Sequence, residues 1–564
     1  MTDIRRTILW VVFTMSLVLL WDGWQRHNGQ PSLFHPAPAK TVSAPTGPAS
    51  GAALAAAQPG AAATAASGVP ATPAAPVIQN KLVTFTTDVV KATIDTRGGS
   101  LVRVELLKHA DDTNPSGHVV VLDPLRQYSA RSGLLNVPNA PSDQTVLTLV
   151  DGPTALQDGQ DALTVRLEGE QGGVKLAKTY TFKRGDYAIG VRHEVTNQGA
   201  AAVTPQLYLQ LVRDGHVDHT GPSFAPSSFA GPALYTDKAK YHKLSFDDLK
   251  KGKAEYEKNA DDGWVAMVQH YFVSAWLRNE AGPREFNVRP LNENLYTAGM
   301  VMNFASIAPG ATGKLDDVLY VGPQEEKKLE DLAPGLELVK DYGIFKILSK
   351  PLFWLLDLLH QLLGNWGWAI IVLVVLLKAA FYGLNASAYR SMAKMKAVNP
   401  RIQELRERYK DKPQQMQQEM MRIYKEEKIN PLGSCLPIFL QMPFFMGLYW
   451  VLLSSVEMRG APWVLWIHDL SKPDSLFGHL LGAPIGPLPL LMTLSSLLQV
   501  WLNPQPADPV QAKMMWIMPL AFSVMFFFFP SGLVLYWLVN NILSIAQQWM
   551  INKRLGVMDP VMKK

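Results

Sequence analysis

The chain has 564 residues, 48% of them hydrophobic, and a formal net charge of +5. Such a length exceeds one domain and such an apolar share exceeds the needs of a wholly soluble chain, so membrane spans beside a soluble part are expected. The one cysteine, Cys435, excludes an intrachain disulfide and any cysteine-based zinc or iron-sulfur centre, and the small net charge argues against bulk nucleic-acid binding.

At the N-terminus, Arg5 and Arg6 precede an apolar run that ends in Trp21 and Trp24, an aromatic interface pair with no A-x-A cleavage site after it. Residues 1–25 therefore read as an uncleaved anchor with its N-terminus in the cytoplasm. Residues 26–80 are rich in Ala, Pro, Gly and Ser with almost no charge, a composition that cannot bury a core and reads as a disordered tether.

Alternating apolar positions begin at Lys81: Val83/Phe85, Val90/Ala92/Ile94, Val102/Val104/Leu106, Leu163/Val165/Leu167, Ile189/Val191/His193/Val195 and Leu207/Leu209/Leu211. Turn signals at Gly98-Gly99, Gly172-Gly173 and Asn197-Gln198-Gly199 separate them, so residues 81–342 are predicted to form a β-sandwich on the outer side of the membrane. Its histidines, His109, His118, His193, His216, His219, His242 and His270, lack the framing of a metal or acid-base site and are expected to be structural or on the surface.

Residues 343–363 show helical periodicity with polar breaks, which predicts an amphipathic helix in the membrane interface. Next, 366–384 reads as one helical span, within the predicted second membrane segment 364–386, carrying a single charge, Lys378. An ammonium at that depth costs on the order of 3 kcal/mol on insertion scales. Lys378 therefore either snorkels to the near interface or faces a polar cavity open to one side of the membrane.

The basic stretch that follows places a helical hairpin over 387–433, with Asn399-Pro400 as a helix start and Lys412-Pro413 as the break between two helices. Positive charge, including Arg401, Arg406, Arg408 and Lys410, puts it in the cytoplasm, either as a solvated loop that sets topology or as a docking surface. Four more apolar segments, 435–456, 487–502, 514–529 and 533–551, fill 434–551 and lead to a basic tail, 552–564. The total is six spans with both termini cytoplasmic. Two of the segments are short, which implies a locally thinned bilayer or re-entrant packing.

No P-loop, G-x-S-x-G or H-E-x-x-H is present, and no intramembrane carboxylate pair suggests a pump. The polar residues inside the spans are Lys378, Gln441, Ser454, Ser455, Gln499, Asn540, Asn541 and Gln547. Gln441 and Asn540 suit either interhelical hydrogen bonds or the lining of a cavity at Lys378.

The blocks NPLGSCLPIFLQMPFFMGLYW, APWVLWIHDLS and FPSGLVLYWLVNNILSIAQQW resemble the membrane core of the Oxa/Alb family of membrane protein insertases. SMAKMKAVNPRIQELRERYKD and QEMMRIYKEEKINPLG are similar to its cytoplasmic hairpin, and DGWVAMVQHYFVSAW with LYVGPQ to the periplasmic domain of its Gram-negative form. The resemblance implies a polytopic α-helical inner-membrane protein with a five-helix core and a large periplasmic β-sandwich. It implies an insertase and chaperone, not an enzyme, without cofactor or nucleic-acid specificity and without energy input of its own. Nascent membrane proteins would reach it from the ribosome, alone or beside the Sec translocon and its accessory subunits, and would meet the lipid bilayer through a groove open to cytoplasm and lipid. By the same resemblance the groove residues are Lys378, Gln441, Met442, Phe445 and Trp537, to which Asn540 is added from the polar residues inside the spans. Many relatives carry Arg at the Lys378 position and a polar residue where Val374 stands. A six-span solute transporter would show inverted repeats or coupling-ion carboxylates, and neither is seen. An anchored carbohydrate-binding or mutarotase-like enzyme would need its β-domain for function.

Overall fold

The computed structural model describes residues 81–112, 114, 116–217, 228–409, 412–427, 436–480, 482–503 and 509–554. The predicted anchor over 1–25, the tether over 26–80, His219, Lys410, Cys435 and the tail beyond Arg554 lie outside them.

Alternation along the first half of the chain folds as two nine-stranded sheets. The first runs in the order Leu82–Thr86, Val90–Asp95, Ser100–Ala110, Ser129–Leu135, Gln206–Asp214, Leu295–Asn303, Arg284–Asn292 and Asn259–Ala260, with His118–Leu122 paired onto Ser100–Ala110. The second runs Lys240–Lys243, Gly231–Thr236, Trp264–Val268, Phe272–Leu277, Thr312–Pro323, Ala188–Asn197, Val174–Lys183, Ala162–Gln171 and Thr148–Leu149. The period-2 positions turn inward as the pattern demands: Leu207, Leu209 and Leu211 from the first sheet meet Ile189, Val191 and Val195 from the second in one core. Gly98 (φ +70°) and Gly99 (φ +58°) make the turn into Ser100–Ala110, and a Cβ on Gly98 would stand 2.4 Å from the Asp143 carbonyl oxygen, so only glycine fits there.

Trp264–Val268 and Phe272–Leu277 are buried at every position, a pattern that alternation does not reveal. Leu329, Leu336 and Val339, from the segment after the last strand, join the same core.

Ten helices are described. Two are short, α1 (Phe246–Lys250) and α2 (Glu326–Leu332). After them come α3 (Lys346–Leu363), α4 (Trp366–Ala380), α5 (Tyr382–Arg408), α6 (Pro413–Glu426), α7 (Leu436–Ser454), α8 (Pro487–Leu502), α9 (Pro509–Phe526) and α10 (Ser531–Arg554). The predicted interfacial helix is α3. It buries Leu352, Phe353, Leu356 and Leu359 and leaves Ile347, Trp354 and Leu362 exposed, so part of the apolar stripe expected to face inward faces out.

Two expectations need correction. The helix expected over 366–384 is broken: α4 stops at Ala380, and α5 leaves it at 68°. Phe381, Tyr382 and Gly383, weak helix formers, sit at the junction. A straight continuation would also have carried Arg390, Lys394 and Lys396 along the apolar axis of α4. Second, Asn399-Pro400 starts no helix, because α5 runs through Pro400 to Arg408. The bond that Pro400 cannot donate is offset by packing of Val398 and Ile402 against Ile423 of α6. The break at Lys412-Pro413 is present, with Pro413 in the first turn of α6. The expected count of six spans is not read from single helices. Among the described residues no single helix is long and apolar enough to cross a membrane, and only the bent pair α4 and α5 passes that test together. The 16 residues of α8 extend only about 24 Å against a hydrocarbon core of about 30 Å.

One end of the helical region meets the β-domain. There the Asn365 side-chain amide donates to the Pro462 carbonyl (3.0 Å) and the Ser531 N–H to the Lys472 carbonyl (2.8 Å). At the opposite end, Gln547 of α10 donates to the Tyr382 carbonyl (3.3 Å) and Gln548 to the Asn503 side chain (2.9 Å).

Candidate functional site

Helix α4 is capped by Asn365, whose side chain accepts the Trp368 N–H at 3.2 Å. Trp366, Ala369, Ile370, Leu373 and Val374 form its buried face, and Lys378 follows Val374 by one turn. That spacing aims Lys378 at α10, which approaches α4 closely where a Cβ on Gly532 would lie 3.5 Å from Ile370. The half-buried ammonium donates to Ser544 Oγ (2.7 Å), and the Ser544 hydroxyl donates in turn to the Asn540 carbonyl (2.7 Å). Gln441 of α7 reaches the Asn540 side-chain oxygen at 3.4 Å. Among the described residues no carboxylate pairs with Lys378.

Helix α10 is divided along its length. Leu533, Val534, Leu535, Tyr536, Trp537 and Leu538 are buried and apolar or aromatic, whereas Asn540, Asn541, Ser544, Gln547 and Gln548 follow at spacings of three and four. Asn541 turns the other way and donates to Ser495 of α8 at 2.9 Å. The polar half therefore bridges α4, α7 and α8. In the apolar half Trp537 stacks on Phe445 of α7, centroids 5.1 Å apart and planes 8° apart, with Phe526 and Phe529 edge-on at 4.8 and 5.4 Å.

The structure thus brings Lys378, Gln441 and Asn540 into one polar track and Phe445 and Trp537 into an aromatic wall beside it. Met442 is half exposed and takes no part in either. Val374 is buried in the α4 packing face, which explains how an apolar residue is accommodated there. Ser544, the direct partner of Lys378, was missed in the sequence. Its signal is its position one turn after Asn540.

In the hairpin, Arg401 pairs with Glu427 across α5 and α6 at 2.9 Å. Arg408 is exposed and Arg406 is partly so.

The β-domain histidines do not assemble a metal site, since no group of three His, Cys, Asp or Glu is found among the described residues. Ser132 Oγ, His193 and Asp317 do line up, with Oγ to Nε2 at 2.9 Å and Nδ1 to the carboxylate at 3.6 Å. All three are buried between the sheets, beside Lys178, which donates to the Gly98 and Ser132 carbonyls (2.5 and 2.7 Å). Burial pushes the Lys178 ammonium down to about 7. With His193 0% exposed, no substrate reaches the imidazole, and the group is a polar tie between sheets.

His270 is used at the junction of the β-domain and the helices. Its Nε2 donates to the Leu453 carbonyl (3.1 Å) and its Nδ1 accepts the Ser228 hydroxyl. Around it Asp112 pairs with Arg459 (2.8 Å) and Lys472 (2.9 Å). Burial alone would raise the Asp112 carboxyl, but the two cations outweigh it and hold it below the usual carboxylate range. Lys340 is fully buried, touches both Glu457 oxygens at 3.0 Å, and lies 3.6 Å above the Phe353 ring.

A β-domain fixed to one end of a set of apolar helices, with a basic hairpin in the chain beyond, matches two family models end to end. The YidC periplasmic domain matches residues 82–355 and the 60Kd inner membrane protein matches residues 358–557. The class is thereby an inner membrane protein with a β-rich periplasmic domain and a helical C-terminal region. Relatives named membrane protein insertase YidC are 54% identical in Cupriavidus taiwanensis (98% of each chain), 55% in Cupriavidus metallidurans (98% of each) and 51% in Janthinobacterium sp. (99% of this chain, 100% of the relative). The chain belongs to the YidC family of membrane protein insertases. A crystal structure of an active YidC insertase is 18% identical with a TM-score of 0.39, covering 83% of this chain and 92% of that one. A galactose mutarotase-related enzyme from Lactobacillus acidophilus is 11% identical with a TM-score of 0.30, covering 43% of this chain and 97% of that one.

Proposed function

We propose that this chain inserts nascent membrane proteins by letting their polar segments pass along the Lys378, Ser544, Asn540 and Gln441 track while their apolar segments slide past the wall formed by Phe445 and Trp537. The observation that carries this reading is a half-buried ammonium bonded to neutral oxygen, with no carboxylate paired to it among the described residues. Such a charge is left to attract an acidic segment of a substrate, and the surrounding amides and hydroxyls offset part of the cost of taking polar backbone out of water. Met442, half exposed on α7, suits the lipid-side edge of the route.

In this reading the anchor, the bent α4 and α5 pair, α7, α8, α9 and α10 make up six spans around a five-helix core, with both termini in the cytoplasm. The short α8 and α9 thin the bilayer and shorten the distance left to cross. Arg401, Arg406, Arg408 and Lys410 of the hairpin, with the basic tail, face the ribosome, and the protein works alone or beside the Sec translocon.

Lys378→Ala should lower insertion of substrates with short acidic translocated segments about tenfold, the equivalent of roughly 1.4 kcal/mol of lost attraction. Lys378→Arg should retain it, because the charge is kept even though the donor geometry changes. Equal activity of the alanine variant in reconstituted vesicles would remove the electrostatic part of the proposal.

A further inference from the structure

The segment joining α7 to α8 lies at the β-domain end of the helices, tied there by Arg459 and Lys472 to Asp112 and by Glu457 to Lys340. In its first half Val456, Met458, Ile467 and Leu470 are each 3% exposed or less, while Leu465 alone stands out at 80%. Its second half differs. Leu476, Phe477 and Leu480 are 52%, 64% and 65% exposed, and residues 475–486 contain no Asp, Glu, Lys or Arg.

This exposed stretch has a defined shape. His479–Leu480 and Ala483–Pro484 pair as a small antiparallel ribbon, the Phe477 N–H donates to the Ile485 carbonyl (2.9 Å) and the Ile485 N–H to the Gly478 carbonyl (2.8 Å). Its base is Asp474, 5% exposed, whose carboxylate accepts the Trp466 indole N–H (3.1 Å), the Leu476 N–H (3.3 Å) and the Leu488 N–H in the first turn of α8 (2.9 Å). A Cβ on Gly486 would stand 2.1 Å from that carboxyl carbon, so the ribbon and α8 are held together without slack. α8 itself presents Leu490, Leu491, Leu494 and Leu498 outward, the face that an inner membrane protein turns to lipid.

We infer that the ribbon formed by 476–480 and 482–485 is a membrane-inserting hairpin that dips into the lipid interface on the periplasmic side, continuing the lipid-facing stripe of α8. A protein-docking patch of this size would carry a charged rim, whereas the exposed polar side chains on the described part of the ribbon are Ser475 and His479, with no Asp, Glu, Lys or Arg among 475–486. A water-exposed loop would not hold three large apolar side chains outward on a rigid frame. Lipid at the headgroup and acyl-chain boundary suits large exposed apolar side chains on a ribbon without Asp, Glu, Lys or Arg, and it would anchor the periplasmic end of α8.

The test is spin labelling of the full chain in the Cys435→Ser background, reconstituted into vesicles of phosphatidylethanolamine and phosphatidylglycerol. Single labels replace Phe477, Leu480, Leu494 on α8 as the lipid reference, and Leu125, 89% exposed in the β-domain, as the water reference. Relaxation by oxygen relative to a nickel chelate at Phe477 and Leu480 should stand clearly above the Leu125 value and toward the Leu494 value. Values matching Leu125 would overturn the inference, as would labels shielded from both reagents, which would show a protein partner or a second copy on the ribbon.

Discussion

At the residue scale the charge at Lys378 organises the site, and the sequence showed this because a lone ammonium in an apolar helix must be accommodated somewhere. What the sequence left open was its direction, and in the structure the side chain turns toward α10 and bonds Ser544 Oγ. Ser544 itself gave little warning, because serine is common in helices and only its place one turn from Asn540 marks it. A second residue-scale consequence concerns Gly343, which sits at φ +58° with Trp450 where a Cβ would need to be, 2.6 Å away. Gly343→Ala should therefore cost about 2 kcal/mol through backbone strain and overpacking together. A lowered melting temperature in detergent would show it, and an unchanged one would mean that the Trp450 ring yields freely.

At the scale of elements, the junction between the β-domain and the helices rests on buried charge. Lys340 has no access to water, so Glu457→Gln should leave an uncompensated ammonium at a cost of about 3 kcal/mol or more. Faster hydrogen exchange across α3 in that variant, with exchange in the sheets unchanged, is the expected outcome.

His270 gives the same junction a pH dependence. Burial, with Arg459 nearby, lowers its pKa from 6.5 to about 4, and the Leu453 carbonyl only partly offsets this. His109, also near Arg459, is lowered by burial to about 4. In both cases the unfolded state takes up the proton first. Stability is thus undiminished above pH 6.5, falls as pH drops from 6.5 toward 4, and levels off below that. Melting curves from pH 7 to 4.5 should show this loss, and His270→Asn should reduce it. None of the junction was legible in the sequence, because Asp112 and Arg459 are almost 350 residues apart and nothing in either neighbourhood marks a partner.

The bend after α4 was hidden for a different reason. Hydropathy reads composition, and the apolar run continues through Phe381 and Tyr382 without regard to helix direction. The strands were easier to read, since a face buried in a sandwich imposes period 2 on the residues. The three strands buried at every position, Gly231–Thr236, Trp264–Val268 and Phe272–Leu277, escaped that rule.

For the whole molecule, the polar track and the aromatic wall lie on α4, α7, α9 and α10 and the turn between the last two, and among the described residues the β-domain is tied to their far end. Removal of 81–323 should therefore leave insertion in place while lowering thermal stability, because Arg459 and Lys472 lose Asp112 and Leu453 loses His270. Loss of insertion in cells depleted of the wild-type protein would instead make the β-domain part of the route.

The most direct test of that route is photo-crosslinking from Gln441 and Trp537 to a ribosome-stalled nascent membrane protein, with Ile542, half exposed on another face of α10, as the comparison. Adducts from Gln441 to the polar segment and from Trp537 to the apolar segment, with none from Ile542, are the predicted result. Adducts from Ile542 with none from Gln441 would place the substrate outside the track and contradict the account.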